Sequence, residues 1–202
     1  MFAHRRRRPT SPPAGPAAHA QQLRHFLESA RAFNGVDASD VPGMHTRLRA
    51  DERVFICTRG ARLFQRPGLP TSEQVLRPTP IDCGELVVTS IRAVFTGTKQ
   101  IRQWIWADLA GVEHADDGPW SAIEVSSRSR TFGVMYDDDH RQEIRFAIEL
   151  AVADTHGTRD RLIEHLARAL QRLLDVAEQP AAESGATGLQ DRSRQTVDSR
   201  SA

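Results

Sequence analysis

Residues 83–114 read CGELVVTSIRAVFTGTKQIRQWIWADLAGVEH, and this stretch decides the fold. Short apolar runs separated by polar and turn residues follow one another here, a pattern typical of β-strands. We expect strands at Glu85–Ser90, Arg92–Thr96 and Gln100–Ala107, with a turn at Gly97-Thr98 between the last two. A shorter strand at Gly111–His114 follows. The stretch therefore predicts consecutive strands of an antiparallel sheet.

Three tryptophans mark the core of this sheet. Alternation places Trp104 and Trp106 on one face of their strand, with Ile101 and Ile105 on the other. A buried indole removes roughly 150–250 Å² from water, which is worth about 4–6 kcal/mol as an upper bound. We therefore expect Trp104, Trp106 and the later Trp120 to nucleate the core rather than to line a ligand site.

The chain on either side of this stretch divides by composition and periodicity. Residues 1–16 are rich in Arg and Pro and are predicted to be disordered, as is the polar tail 179–202. Residues 17–49 are predicted to form an N-terminal helical segment, because apolar residues recur at helical spacing from Leu23 to Phe33. Residues 50–178 are predicted to form the folded domain.

Further strands complete the predicted sheet within residues 50–178. Val54–Thr58 and Ala61–Phe64 read as two short strands separated by a turn at Arg59-Gly60. Trp120–Val125 and Thr131–Tyr136 read as two more, and Ile144–Val152 alternates well enough to be the last strand. From these nine strand-like segments the sequence predicts a bent sheet of about seven strands with an open end.

One amphipathic helix follows the predicted strands. Thr158 or Asp160 can cap its N-terminus, and its apolar stripe runs at helical spacing from Leu162 to about Ala177. A terminal helix of this kind can plug the open end of the sheet. The fold class predicted from the residues is therefore mainly β with α, closed by a C-terminal helix.

Charge and hydropathy exclude some classes of function. The 27 Lys and Arg residues nearly balance the 26 Asp and Glu residues, and the basic excess lies in the first 50 residues, which include the run Arg5–Arg8. A mildly acidic folded part lacks the field of a nucleic-acid binder, so we expect no nucleic-acid partner. No apolar run approaches the roughly 20 residues of a membrane span. No apolar leader follows the arginine run either, and we expect a cytoplasmic protein.

Motifs for catalysis or cofactor binding do not occur in this sequence. Cys57 and Cys83 lack the spacing of a zinc or redox site and are predicted to be small buried hydrophobes. Acidic residues near His114 and at Asp137–His140 lack the spacing that imposes a metal geometry. Neither a nucleophile elbow nor a phosphate-binding glycine loop is present. We expect no metal, no cofactor and no enzymatic activity.

The stretch that decides the fold also carries a family resemblance. The residues that carry it are, in order, Gly84, Leu86, Val88, Thr89, Arg92, Phe95, Gly97, Lys99, Arg102 and Trp104, continued by Leu109, Gly111, Val112 and His114. This run resembles bacterial PH-like (GRAM-like) domains, with similarity over roughly residues 51–175. The resemblance implies a partly open antiparallel barrel of the pleckstrin-homology type, capped by a C-terminal helix. The N-terminal helix is an addition to it. Members of this fold bind phosphoinositides, peptides or protein partners.

Basic side chains near strand ends and turns are the candidate site residues. They are possible anion or partner contacts: Arg92, Lys99, Arg102, Arg128 and Arg130. The other interpretation is that they are solvated hairpin residues paired with nearby acids. The function predicted is a non-catalytic binding module that docks a protein partner. Peripheral association with anionic membranes through Arg5–Arg8 is the first alternative, and an enzyme with an unrecognised active site is the second.

Overall fold

A computed structural model describes residues 15–66, 78–116, 118–126 and 131–178. The predicted disorder of the two termini falls almost entirely on residues 1–14 and 179–202, which lie outside the described residues. The ten main elements, in chain order, are α1 (Pro16–Ala32), β1 (Val54–Gln65), β2 (Pro80–Thr89), β3 (Arg92–Gly97), β4 (Ile101–Ile105), β5 (Leu109–His114), β6 (Trp120–Val125), β7 (Phe132–Met135), α2 (Arg141–Thr155) and α3 (Arg159–Glu178).

The seven strands form one antiparallel sheet in the order β4-β3-β2-β1-β7-β6-β5. β1 joins the two halves, because it pairs with β2 along most of its length and with β7 through Arg62–Gln65. The prediction of two separate strands at Val54–Thr58 and Ala61–Phe64 is wrong, because both belong to β1. Gly60 adopts φ 77, and the register with β2 shifts there, so β1 bends at a bulge and continues.

Large apolar side chains fill the interior of the bent sheet. Trp104 is 1% exposed and Trp106 is fully buried, as predicted. Trp106 lies in a 3₁₀ turn after β4, and its indole N–H donates a 2.8 Å hydrogen bond to the carbonyl of Thr89. Trp120 is only half-buried and meets Phe64 edge to face. The predicted fold class, mainly β with about seven antiparallel strands followed by a C-terminal helix, is confirmed: one seven-stranded antiparallel sheet precedes two helices, α2 and α3.

The prediction of a last strand at Ile144–Val152 is wrong, because this segment lies inside helix α2. Ile144, Ala147, Ile148 and Ala151 recur at helical spacing and pack into the barrel core. Leu150 packs on the opposite side, in a second apolar cluster. A helix that is buried on two sides loses the polar face that would distinguish its pattern from that of a strand.

The second apolar cluster joins α1 to α2 and α3. Phe26, Leu27 and Ala30 of α1 are buried there with Leu150 and Leu166. The ring of Phe26 stacks on that of Phe146 of α2 at 4.5 Å between centroids. The N-terminal helix thus lies on the two C-terminal helices and extends the core on the side away from the strands.

The connection between α1 and β1 covers the outer face of the first half of the sheet. The carboxylate of Glu85 in β2 accepts hydrogen bonds from the backbone N–H groups of His45 and Thr46 and from the Thr46 hydroxyl, at 2.8–3.2 Å. Val87 and Val94, whose side chains point to this outer face, are at most 2% exposed. The connection is thus bonded to β2 on the face of the sheet where Val87 and Val94 are buried.

The two cysteines differ from their predicted environment. Cys83 is exposed, so its prediction as a buried hydrophobe is wrong, and Cys57 is half-buried. Burial, aided by the nearby Glu85 carboxylate, raises the pKa of the Cys57 thiol to about 11. In the part of the chain that the structure describes, no helix is long and apolar enough to cross a membrane.

Candidate functional site

Arg92, the first of the predicted contact residues, is engaged by the protein itself. It is 8% exposed, and its guanidinium donates to both carboxylate oxygens of Glu52, through Nε at 2.7 Å and Nη2 at 2.9 Å. Nη1 donates to the side-chain oxygen of Gln103 at 2.6 Å. These bonds attach the connection between α1 and β1 to β3 and β4. Arg92 is therefore held on the outer face of the sheet by Glu52 of the connection and Gln103 of β4.

Lys99 lies at the exposed tip of the β3–β4 hairpin, beside a buried carboxylate. Asp82 accepts the backbone N–H groups of Lys99 and Gln100, each at 3.0 Å, and the Thr98 hydroxyl at 2.9 Å. Burial would raise the pKa of Asp82, but these bonds outweigh it and hold the pKa at about 2. The N–H groups that an anion would use at this hairpin are thus already occupied by Asp82.

The remaining predicted contacts are not gathered into one site. Arg102 is half-buried on the inner side of β4, and its guanidinium lies 4.1 Å above the centre of the Phe132 ring. Arg92 and Arg102 belong to opposite ends of the β3–β4 ladder and to opposite faces of the sheet. Arg128 and Arg130 lie outside the described residues. Anion contacts by these five residues stay a prediction.

A buried polar cluster between β5, β6 and β7 was missed from the sequence. His114 Nδ1 lies 2.7 Å from Ser121 Oγ, which lies 2.8 Å from the Tyr136 hydroxyl. Burial, and then the charge of Arg145, lower the pKa of His114 to about 4. The sequence could have indicated this contact through the β5–β6 hairpin, because His114 and Ser121 lie opposite each other on these two strands.

The serine–histidine pair in this cluster does not present a nucleophile. Ser121 is fully buried, so its oxygen has no path to a substrate. Glu149 Oε1 lies 3.9 Å from His114 Nε2, beyond hydrogen-bond distance. Arg145 of α2 donates to the carbonyls of Ala115 and Gly118, which attaches the β5–β6 turn to the helix. The cluster therefore links strands, a turn and α2.

Replacement of Ser121 by alanine is expected to reduce the free energy of unfolding by about 1–2 kcal/mol, because the Tyr136 hydroxyl and His114 Nδ1 both lose a buried partner. Urea unfolding followed by tryptophan fluorescence measures this loss. Ser126→Ala removes an exposed hydroxyl that bonds the Asp108 carbonyl. That control is expected to change stability by no more than about 0.5 kcal/mol. Equal effects of the two substitutions would contradict the role given to Ser121.

Within the described ranges, no group of three His, Cys, Asp or Glu side chains is arranged to hold a metal ion. A groove of about 940 Å³ lies between the first turns of α1 and α2 and the later part of α3, and its lining includes polar residues such as Gln22, His25, Asp138 and Gln142.

The free edge of β4 has unpaired backbone and exposed apolar side chains. β4 pairs only with β3 among the described strands. The bonds from Gly97 N–H to the Gln100 carbonyl and from Trp106 N–H to the Ile91 carbonyl, both 3.0 Å, show that the even-numbered residues face β3. The odd-numbered residues therefore direct their N–H and C=O groups to the free edge. Of these, Ile101 is 62% and Ile105 is 37% exposed, and Gln103 lies between them.

The other edge of the sheet, β5, is built differently. A register shift between Leu109 and Gly111 interrupts its ladder with β6. Glu113 is exposed on β5 and forms an ion pair with Arg66. Bulges and charges are the usual means by which proteins keep an edge strand from pairing. The β4 ladder has no register shift, and the residues that direct their backbone outward, Ile101, Gln103 and Ile105, carry no charge. The one charged side chain of β4, Arg102, lies over the Phe132 ring on the inner face.

Comparisons with known proteins found similar solved structures but no family. No family model matches the sequence, and no curated protein matches it. Among solved structures the chain is similar to the Vps36 N-terminal PH domain, with 15% identity, 71% of this chain and 95% of that chain covered, and a TM-score of 0.35. It is also similar to a chain of the 8S snRNP assembly intermediate, with 10% identity, 56% and 87% covered, and a TM-score of 0.35.

Proposed function

We propose that this protein is a non-catalytic PH-like interaction module that docks a protein partner by strand addition at the β4 edge. The observation that carries the proposal is the free edge itself. Three outward residues, Ile101, Gln103 and Ile105, offer backbone donors and acceptors that no described strand uses. An added strand satisfies these groups, and apolar side chains on it bury the two exposed isoleucines.

The packed interior supports docking on the surface. Trp104, Trp106, Phe95, Ile123 and Ile148 are each at most 1% exposed, and these large side chains pack together in the interior of the sheet. The polar cluster at Ser121 is likewise enclosed. Within the described residues, we therefore expect the sheet edges and the helices to bind the partner.

Cellular location is part of the proposal. Cys57 and Cys83 are free thiols, which suits a reducing compartment such as the cytoplasm. The likeness to bacterial GRAM-like domains, argued from residues 83–114, belongs to the proposal in the same way. Identification of the partner would test both the cytoplasmic location and the likeness to GRAM-like domains.

Affinity capture with the full chain tests the docking function. Ile101→Lys places a charge at the edge, and Ile105→Pro removes an outward N–H. Proline suits position 105, where φ is −79. Val176→Lys makes the same apolar-to-charged change on α3, at a residue that is 69% exposed. Wild type and Val176→Lys should retain the same proteins, and both edge variants should lose them. Capture that both edge variants preserve would refute docking at β4.

A further inference from the structure

The outward residues of β4 have a symmetric order, with isoleucine at each end and glutamine in the middle. We infer that the β4 edge pairs with the β4 edge of a second copy of this chain, antiparallel and about a two-fold axis at Gln103. This inference rests on the proposed docking function and names the partner at that edge. The two seven-stranded sheets would then form one continuous sheet across the dimer.

Backbone geometry selects the register of the pair. When Gln103 lies opposite its own copy, Ile101 lies opposite Ile105 of the partner subunit. All three positions then belong to the set whose N–H and C=O groups point outward, so each forms a doubly hydrogen-bonded pair. A shift by one residue would oppose the outward groups of one strand to the inward groups of the other. Symmetry and hydrogen bonding therefore favour the same register.

Side chains agree with this register. Isoleucine meets isoleucine at both ends, on the same outer face of the sheet, where each is now exposed. The hairpin tip with the exposed Lys99 comes toward the turn after β4 of the other copy, which carries the exposed Asp108. Opposite charges thus lie at each end of the paired strands. The central Gln103 amide stays directed to Arg92 within its own subunit.

The short interface, formed by the five-residue strand β4 of each subunit, limits the affinity of the dimer. An interface of this length is at the small end of specific interfaces, and we expect a dissociation constant of about 1–100 µM. Sedimentation velocity of the full chain over this concentration range should show a species of twice the 22.5 kDa monomer mass. Ile101→Lys and Ile105→Pro should remain monomeric, whereas Val176→Lys should dimerise as the wild type does. Circular dichroism verifies that the edge variants are folded.

Cysteine cross-linking tests the register. The background is Cys83→Ser, which removes the exposed native thiol, while the raised pKa of Cys57 keeps that thiol largely protonated. Opposed residues of a hydrogen-bonded pair have Cα atoms about 5.5 Å apart, a distance that a disulfide spans. Ile101→Cys mixed with Ile105→Cys should therefore cross-link on oxidation. Ile101→Cys alone should not, because its two copies lie four residues apart along the strands, about 13 Å.

The outcomes separate this inference from the function on which it rests. A wild-type chain that stays monomeric at about 200 µM, well above the expected dissociation constant, overturns the dimer. So does a dimer that survives Ile105→Pro. If the chain is monomeric and the edge variants still lose captured proteins, docking at β4 stands and the partner is another chain. If neither dimer nor capture depends on the edge, both proposals fail.

Discussion

Glu52→Ala is expected to lower the free energy of unfolding by about 3–5 kcal/mol, because it leaves the buried Arg92 guanidinium without its counter-charge. Glu52 is 2% exposed and receives two hydrogen bonds from Arg92, one from the Arg49 backbone N–H at 2.7 Å and one from the Thr89 hydroxyl at 3.2 Å. Burial raises the pKa of Glu52, but these bonds outweigh it and hold the pKa below the ordinary value. Unfolding in guanidinium chloride measures the loss.

An exposed ion pair in the same region provides the matched control. Asp37 and Arg53 are paired, with side chains 58% and 44% exposed. Asp37→Ala should therefore change stability by less than about 1 kcal/mol. A Glu52→Leu, Arg92→Met double variant removes both charges and should recover much of the loss caused by Glu52→Ala. If Glu52→Ala is as mild as Asp37→Ala, the buried pair does not have the role assigned to it.

Stability is expected to fall by about 3 kcal/mol as the pH is lowered from 6.5 to 4, through the titration of His114. Burial and Arg145 lower the pKa of His114 in the folded protein to about 4, against an ordinary value of 6.5. Above pH 6.5 the imidazole is neutral in both states and contributes nothing to the pH dependence. Between the two values the unfolded chain binds a proton that the folded protein does not. Below pH 4 both states are protonated and the loss is complete.

His114→Asn isolates this contribution. An asparagine amide can reach the position of Nδ1 and keep the bond to Ser121, but it does not titrate. Urea midpoints of the two proteins, measured from pH 7 to pH 4, should diverge in slope within this interval and run parallel above it. Other groups near His114, such as Glu149 and Arg145 of α2, are present in both proteins and cancel in the difference. Parallel curves throughout would show that His114 has an ordinary pKa.

Local pattern was enough to predict the strands around residues 83–107 and the burial of Trp104 and Trp106. The short apolar runs of β2 and β3, bounded by turn residues, indicate buried strands directly, and a large indole that is not buried would cost several kcal/mol. The apolar stripe of α3 was equally easy to recognise in the sequence, because α3 has a polar face that contrasts with its apolar one. In these elements local sequence and global packing require the same residues.

Prediction failed where packing occupies more than one face. α2 contacts the barrel with Ile144 and Ile148 and the second cluster with Leu150, so its sequence lacks the polar stripe of a surface helix. Cys83 has an apolar, strand-like context, but the position is exposed in the folded sheet. Arg92 reads as a hairpin cation, yet its partner Glu52 lies 40 residues earlier in the chain. None of these environments is encoded within a short window of residues.

By itself the sequence determined the strand-rich character of the folded part and the amphipathic helix at its end, because strand and helix periodicities are local properties. Only the tertiary structure decided which strands are edges, since that depends on β1 pairing with both β2 and β7. Among the described strands this pairing leaves β4 with one free edge, while the connection from α1 bonds to the neighbouring strand β2. The isoleucines of β4, which alternation alone assigned to the opposite face from Trp104, thereby become the exposed ends of the edge that we propose for docking.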